Sequence, residues 1–130
     1  MPHLRIKDAA AFLGVSDDTV RRLLDTGALT ERTESGRKVI DAYEVAMYAR
    51  ERATTAPDPS GIESSARNRF VGLVTDVQSD AVMSQVELQC GSFRVVSLMS
   101  TEAVRELGLE RGSTAVAVIK STNVIVETKS

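Results

Sequence analysis

The spacing of apolar residues changes along the chain and divides it into two halves. In the first half, apolar residues recur at intervals of three and four, which is the period of an amphipathic helix. This period predicts helices at residues 8–13, 17–26 and 43–52. In the second half, alternating or β-branched runs predict strands at residues 70–77, 82–88, 93–99, 115–120 and 124–128. A short helix is predicted at residues 102–107, with Thr101 as its N-cap and Gly108 just past its end.

A stretch of Pro, Gly and small polar residues separates the two halves. Residues 53–63 include Pro57, Pro59 and Gly61, a composition that resists both helix and strand and is typical of a linker. We therefore predict an α+β protein with domains at residues 1–52 and 64–130. Each domain is small enough for its stability to be marginal on burial alone, so the β domain would gain from oligomerisation.

The first half has the pattern of two short helices joined by a tight turn. Gly14 can adopt the left-handed conformation that such a turn requires, and Ser16 is placed to cap the following helix. In that second helix the apolar residues share one face and leave Thr19, Arg21 and Arg22 on the other. This arrangement is typical of a recognition helix, which enters the major groove of DNA.

A β-hairpin is predicted directly after these helices. Two extended arms flank Ser35 and Gly36, and Arg37 and Lys38 follow the turn, where they would reach phosphates or a minor groove. Asp41 is placed to cap the third helix.

Residues 4–51 resemble the winged helix-turn-helix of the MerR/excisionase superfamily, most specifically between Ala9 and Gly27. The resemblance implies a second helix in the major groove and a wing on the DNA backbone. The implied DNA contacts are Thr19, Arg21, Arg22, Arg37 and Lys38. Residues 1–52 hold nine Lys or Arg and nine Asp or Glu, so this domain is net neutral and a single copy should bind DNA weakly. The alternative is a small helical domain whose arginines form an ordinary solvated face.

Two distant segments of the second half carry the donors that a small oxyanion needs. Ser65, Ala66, Arg67 and Asn68 precede the first predicted strand, and Lys120, Ser121 and Thr122 lie at the end of the fourth. Hydroxyls, fixed cations and backbone amides beside a small Ala can together hold a divalent oxyanion, which is expensive to desolvate otherwise. Such donors do not coordinate a metal cation, so we expect no cation site. In the alternative interpretation Arg67 and Lys120 are ordinary surface charges.

Residues 64–128 resemble the Mop family of molybdate-binding domains. The resemblance rests on the run from Ser65 to Gly72, the Leu-Gly-Leu-x-x-Gly turn at residues 107–112 and the strand end at residues 118–122. It implies a small OB-like β-barrel that oligomerises and holds molybdate or tungstate between subunits. The implied ligand-binding residues are Ser65, Ala66, Arg67, Asn68, Lys120 and Ser121.

The remaining composition limits the possible functions. The net charge of −2 excludes a generally basic DNA-coating protein, and the single cysteine, Cys90, cannot form an intramolecular disulfide. No apolar run approaches the ~20 residues of a membrane helix, and the N-terminus lacks a secretory stretch, so we expect no membrane partner and a cytoplasmic location. No Ser-His-Asp set, Cys-His pair or P-loop occurs, so we expect no enzyme.

These observations together predict a molybdate-responsive, DNA-binding transcriptional regulator that forms a homo-oligomer through its C-terminal domain. Two alternatives stay open. One is an intracellular molybdate storage or buffering protein whose N-terminal domain serves interaction. The other is an architectural DNA-binding factor whose anion site has been lost.

Overall fold

Three helices and a small sheet make up the first part of the chain, and a larger sheet with one helix makes up the second. The computed structural model describes residues 2–54 and 56–129. The chain divides into two units, the first ending at Thr54 and the second comprising the remainder. The domain boundaries predicted at residues 52 and 64 stay predictions.

The first unit is a helix-turn-helix followed by a hairpin and a third helix. Its elements are β1 (His3–Leu4), α1 (Ile6–Leu13), α2 (Asp17–Asp25), β2 (Glu31–Glu34), β3 (Arg37–Asp41) and α3 (Ala42–Arg52). The strands form an antiparallel sheet in the order β1-β3-β2. Ala9, Val20, Leu29, Ile40 and Val45 are buried in its core, so every element after β1 except the β2 strand contributes to the core.

Local signals in the sequence account for the ends of these elements. Gly14 adopts the left-handed conformation (φ 67°) at the end of α1, and the Ser16 Oγ accepts the Thr19 amide hydrogen at 3.1 Å. Ser35 and Gly36, with φ of 50° and 76°, form the turn between β2 and β3. The predicted helices and wing are therefore confirmed, with bounds shifted by one or two residues. Within the described part of the chain, no helix is long and apolar enough to cross a membrane.

The second unit is a curled antiparallel sheet of four strands with one helix. Its elements are β4 (Asn68–Ser79), β5 (Met83–Cys90), β6 (Phe93–Ser100), α4 (Thr101–Leu107), β7 (Thr114–Ile119) and a 3-10 turn at Ser121–Asn123. The strand order is β6-β5-β4-β7, and a bulge between Val74 and Asp76 bends β4. The sheet is a half-barrel of the OB-like type, which confirms the predicted α+β class. Its edges, β6 and β7, are unpaired among the described residues.

Two predictions within this unit are wrong. Residues 124–128 do not form a strand. They are exposed, including Ile125 at 84% and Val126 at 87%, because neither sheet edge of their own chain pairs with them. The N-cap of α4 is Ser100, whose Oγ accepts the Ala103 amide hydrogen at 3.1 Å. Thr101 is instead buried, and its hydroxyl donates to the Asp80 carbonyl oxygen at 2.9 Å.

Candidate oxyanion site and DNA-binding surface

The two segments predicted to bind an oxyanion lie at the same end of the β4–β7 pair. Asn68, the first residue of β4, lies opposite Ile119, the last residue of β7. The Asn68 Nδ2 also donates to the Ile119 carbonyl oxygen at 3.2 Å. Arg67 and Lys120 are the next residues beyond this pair, so folding of a single chain brings together segments that are about fifty residues apart.

The charges at this end of the sheet are uncompensated. Arg67 and Lys120 are both exposed, and neither forms an ion pair with any residue in the ranges 2–54 and 56–129. By contrast, the two arginines within strands of the second unit, Arg69 and Arg94, are each paired with a carboxylate. Two like charges at one place repel each other, and an anion bound between them would remove that repulsion.

The hydroxyl donors differ in availability from the backbone donors. The side chains of Ser65 and Ser121 are exposed and make no hydrogen bond to the described residues. The Ala66 amide is buried and donates to the Ser64 Oγ at 3.1 Å, so it would have to leave this partner to reach an anion. The 3-10 turn fixes the backbone on the other side, because the Lys120 carbonyl oxygen accepts the Asn123 amide hydrogen at 2.9 Å. That these six residues hold an anion stays a prediction.

The residues predicted to bind the oxyanion offer hydroxyl, amide and cationic donors, which are groups that hydrogen-bond to anions. The described residues contain no group of three or more His, Cys, Asp or Glu side chains that could hold a metal ion. The Asn68 side-chain amide is already engaged, because its nitrogen donates to the Ile119 carbonyl oxygen.

The predicted recognition helix presents one arginine that is free and one that is paired. Arg21 donates to the Asp18 carboxylate at 2.9 Å, within the helix, whereas Arg22 is exposed and unpaired among the described residues. Thr19 is half-buried, and its Oγ1 lies 3.0 Å from the Ser16 Oγ. Among the three contacts predicted on this helix, Arg22 is thus the cation that no ion pair holds, and its contact with DNA stays a prediction.

The wing shows the same division between a free and a paired cation. Lys38 lies 3.6 Å from the Glu31 carboxylate on the neighbouring strand, and Arg37 has no ion-pair partner in the part of the chain that the structure describes. Both side chains are exposed. Of the four cations predicted from sequence to contact DNA, Arg22 and Arg37 can approach phosphate or base without first breaking an ion pair.

Sequence analysis missed a contact that fastens part of the predicted linker to β4. The Asp58 Oδ2 accepts hydrogen bonds from the Arg69 Nε at 3.1 Å and from its Nη2 at 2.8 Å. The Asp58 Oδ1 accepts from the Ser60 amide and hydroxyl at 2.9 and 2.7 Å. These hydrogen bonds, those from Ser60 foremost, lower the pKa of Asp58 to about 2. The composition of residues 53–63 predicted a linker, but nothing in it indicated the partner eleven residues away.

A groove of about 750 Å³ lies on the sheet of the second unit. Apolar residues of the edge strands line it, Val95 and Met99 from β6 and Ala115 and Ala117 from β7. Ile62, from the end of the predicted linker, lies at its rim and is 67% exposed. The half-barrel therefore leaves an apolar surface open between its two edges.

Comparison with known proteins assigns a family to each half. A TOBE domain model matches residues 64–126 and a helix-turn-helix domain model matches residues 4–53. The molybdenum transport protein ModE of Herbaspirillum seropedicae is 37% identical over 68 residues, which are 52% of this chain but only 25% of that protein. Molybdenum-pterin-binding protein 1 of Clostridium pasteurianum is 36% identical over 63 residues, 48% of this chain and 93% of that protein.

A solved structure supports the fold. The molybdate-binding protein from Sporomusa ovata matches 52% of this chain and 100% of its own with a TM-score of 0.50 and 22% identity, a likeness that concerns the fold alone. None of these three relatives is named as an enzyme. Since the second half of the chain covers nearly all of a relative more than 30% identical to it, the chain belongs to the TOBE domain family and carries a helix-turn-helix domain ahead of that domain.

Proposed function

We propose that this protein is a DNA-binding regulator that responds to molybdate or tungstate and acts in the cytoplasm. The observation that carries the proposal is the pair of uncompensated cations, Arg67 and Lys120, with two free hydroxyls at one end of the β4–β7 pair. Relatives of this domain are named for binding molybdenum compounds. Molybdate is a divalent tetrahedral oxyanion, so it takes hydrogen bonds from hydroxyl, amide and cationic donors and stabilises the cations in return.

We propose further that the anion lies between copies of the chain. Val124, Ile125 and Val126 are exposed in one chain at 45%, 84% and 87%, although exposing them to water is unfavourable. The same chain has two unpaired sheet edges and an apolar groove. A second copy that receives this extended segment would bury it and extend the sheet. The segment begins three residues after Ser121, so such an assembly brings the anion site to the interface.

Removing the segment tests the assembly. A chain ending after Asn123 keeps every strand and the 3-10 turn, so it should fold but have a lower solution mass by light scattering than the full chain. A full chain in which Glu127 and Lys129 are both replaced by Ala is the control, since it keeps the apolar residues. An unchanged mass after truncation would refute the exchange of this segment.

Assembly would also raise the affinity for DNA, which should be weak in a single DNA-binding unit. A net-neutral helix-turn-helix, in which only two of the predicted DNA-contacting cations are free of an ion pair, should bind DNA weakly as one copy. Two copies joined by their second units bind with the effective concentration of a linked pair. Anion binding stabilises the assembly that contains its site. It can thus alter the geometry with which the two recognition helices meet DNA, and we propose that this change constitutes the response.

One observation favours storage or buffering of molybdate as a second candidate function. Arg21 and Lys38 are engaged with Asp18 and Glu31, so half of the four cations predicted to contact DNA are held in ion pairs. Selection of binding sites from random duplexes separates the two functions. A regulator should enrich one sequence, and the Arg22→Ala variant should lose that enrichment. A storage protein should enrich none while still binding molybdate in stoichiometric amounts.

Calorimetric titration with molybdate tests the anion site itself. Arg67→Ala and Lys120→Ala should each weaken molybdate binding by at least about tenfold, because charge-assisted hydrogen bonds contribute about 1.5–3 kcal/mol. Arg105→Ala is the matched control, since Arg105 is an exposed arginine of α4 without an ion pair among the described residues. Wild-type affinity in both Arg67→Ala and Lys120→Ala would refute the site.

A further inference from the structure

Three side chains form a clasp between the end of the predicted linker and β4. Arg69 donates two hydrogen bonds to the Asp58 carboxylate, and its Nη2 also donates to the Ser60 Oγ at 3.1 Å. The Ser60 Oγ accepts the Ile62 amide hydrogen at 3.3 Å. The Arg69 and Asp58 side chains are 24% and 34% exposed, so this pair is shielded more than any other ion pair among the described residues. The clasp consists of Asp58, Ser60 and Arg69.

The clasp closes a short loop around half of the candidate anion site. Asp58 and Arg69 are eleven residues apart, and Ser65, Ala66, Arg67 and Asn68 all lie between them. One end of this loop continues into β4, where Asn68 pairs with Ile119. Because the loop is held at both ends, a change of backbone conformation at residues 65–68 forces the remaining residues of the loop to move. Those residues lead back to Asp58.

The clasp also shortens the free part of the linker. Between Ala53 and Asp58, no described residue forms a side-chain hydrogen bond, and Asp58 is the first residue after Ala53 whose side chain is bound to a strand of the second unit. A flexible chain of n residues spans about 5–6 Å × √n, so eleven free residues would reach roughly 18 Å and four roughly 11 Å. The clasp therefore decides where the linker leaves the second unit and how far the helix-turn-helix can move from that point.

We propose that the clasp transmits the state of the anion site to the helix-turn-helix. Binding of molybdate at residues 65–68 changes the shape of the closed loop. The clasp carries that change to Asp58, from which the linker to the DNA-binding unit starts. Asp58 and Arg69 are positioning residues here and do not bind the anion. This inference rests on the proposed function, since it requires that molybdate binds at these residues.

Two variants test the clasp from its two sides in the full chain. Asp58→Ala removes the acceptor, and Arg69→Met removes the guanidinium while keeping most of the aliphatic stem. Asp76→Ala is the matched control, because it removes the ion pair between Asp76 and Arg111, which lies in the same unit and outside the loop. For each protein, molybdate affinity is measured by calorimetry and DNA affinity by fluorescence anisotropy with and without molybdate.

We expect both clasp variants to bind molybdate, and to bind DNA without molybdate, within about twofold of wild type. The ratio of DNA affinities with and without molybdate should fall from the 5- to 150-fold typical of allosteric coupling to less than about twofold. Asp76→Ala should keep the wild-type ratio. A wild-type ratio in both clasp variants would overturn the inference.

Amide hydrogen exchange separates failure of this inference from failure of the proposed function. Molybdate should slow exchange at Ser60 and Ile62 in wild type and in Asp76→Ala, and leave it unchanged in Asp58→Ala. If wild type shows that protection but no change in DNA affinity, the proposed regulatory function fails and transmission to the linker stands. If wild type binds molybdate without any change in exchange at these amides, the clasp inference fails.

Discussion

Replacing Gly72 by Ala should destabilise the second unit, and the size of the effect follows from the atoms that the added Cβ would meet. Gly72 lies in β4, where a Cβ would be 2.5 Å from the Gln89 carbonyl oxygen and 2.6 Å from the Cys90 Sγ. Ordinary van der Waals contact begins at 3.4 Å, so the added Cβ would lie 0.9 Å too close to the Gln89 carbonyl oxygen. The backbone oxygen belongs to the paired strand β5 and moves only if the two strands separate.

The cost follows from the response of packed interiors to added volume. Overpacking by one methyl group costs about 1–3 kcal/mol. For a unit of this size, such a loss lowers the Tm by roughly 5–20 °C. Thermal unfolding followed by circular dichroism measures it, at a fixed protein concentration because assembly makes the Tm depend on concentration.

The two obstacles can be separated by a second substitution. Cys90→Ala removes the sulfur but leaves the Gln89 carbonyl oxygen, so Gly72→Ala combined with Cys90→Ala should regain only part of the loss, judged against Cys90→Ala alone. A Tm for Gly72→Ala within 2 °C of wild type would show that β4 and β5 separate at little cost. Full recovery in the double variant would show that the sulfur alone caused the strain. Either result would refute the reasoning.

Four further outcomes are expected. Ser16→Ala should cost about 1 kcal/mol, because it removes the cap of α2, seen as faster amide exchange in that helix. Arg22→Ala should weaken DNA binding in anisotropy titrations more than Arg21→Ala, by roughly 1–3 kcal/mol if it contacts a base; equal losses would contradict the structure. The pKa of Asp58 is lowered to about 2 in the folded protein, so its ionised carboxylate stabilises the fold. This stabilisation is complete above pH ~4 and is lost as the pH falls towards 2. In an acid titration, wild type should therefore lose more stability than Asp58→Asn between these two pH values. Burial raises the pKa of the Cys90 thiol, so iodoacetamide at pH 8 should label it more slowly in the folded protein than in denaturant.

Predictions from the sequence were most accurate for caps and turns, whose conformation is decided by residues that are neighbours along the chain. The turn after α1 depends on Gly14, which adopts the left-handed conformation, and the start of α2 depends on Ser16, which reaches an amide three residues away. The wing turn needs Ser35 and Gly36 with positive φ, and both are turn formers. Each of these signals is complete within about four residues, so no knowledge of the rest of the fold is needed.

Predictions from the sequence failed where the local structure depends on a contact with a residue far away along the chain. The β-branched run at residues 124–128 has the pattern of a strand, but a strand forms only beside another edge, and no edge of the same chain receives it. Ser100 and Thr101 are both suitable caps, and the contact of Thr101 with the Asp80 carbonyl decided between them. For the same reason the attachment of Asp58 to Arg69 was hidden in a stretch whose composition predicts only a flexible linker.

The candidate anion site was predicted from sequence because the segments around it resemble the Mop family, and it stays a prediction. Hydroxyls and cations cluster at residues 65–68 and 120–122, and the register of β4 with β7 brings the two clusters to one end of the sheet. The engagement of the Ala66 amide by Ser64 could not be predicted, since it depends on the path of the loop before β4.

The central claim is that molybdate changes the affinity of this protein for its DNA site. The most direct test is a fluorescence anisotropy titration of the selected duplex with the full chain, with and without saturating sodium molybdate. The ionic strength is matched with sodium chloride, because DNA affinity depends steeply on salt. We predict that the Kd changes by at least about fivefold with molybdate, and that the change disappears in Arg67→Ala. An identical Kd in both conditions would contradict the claim.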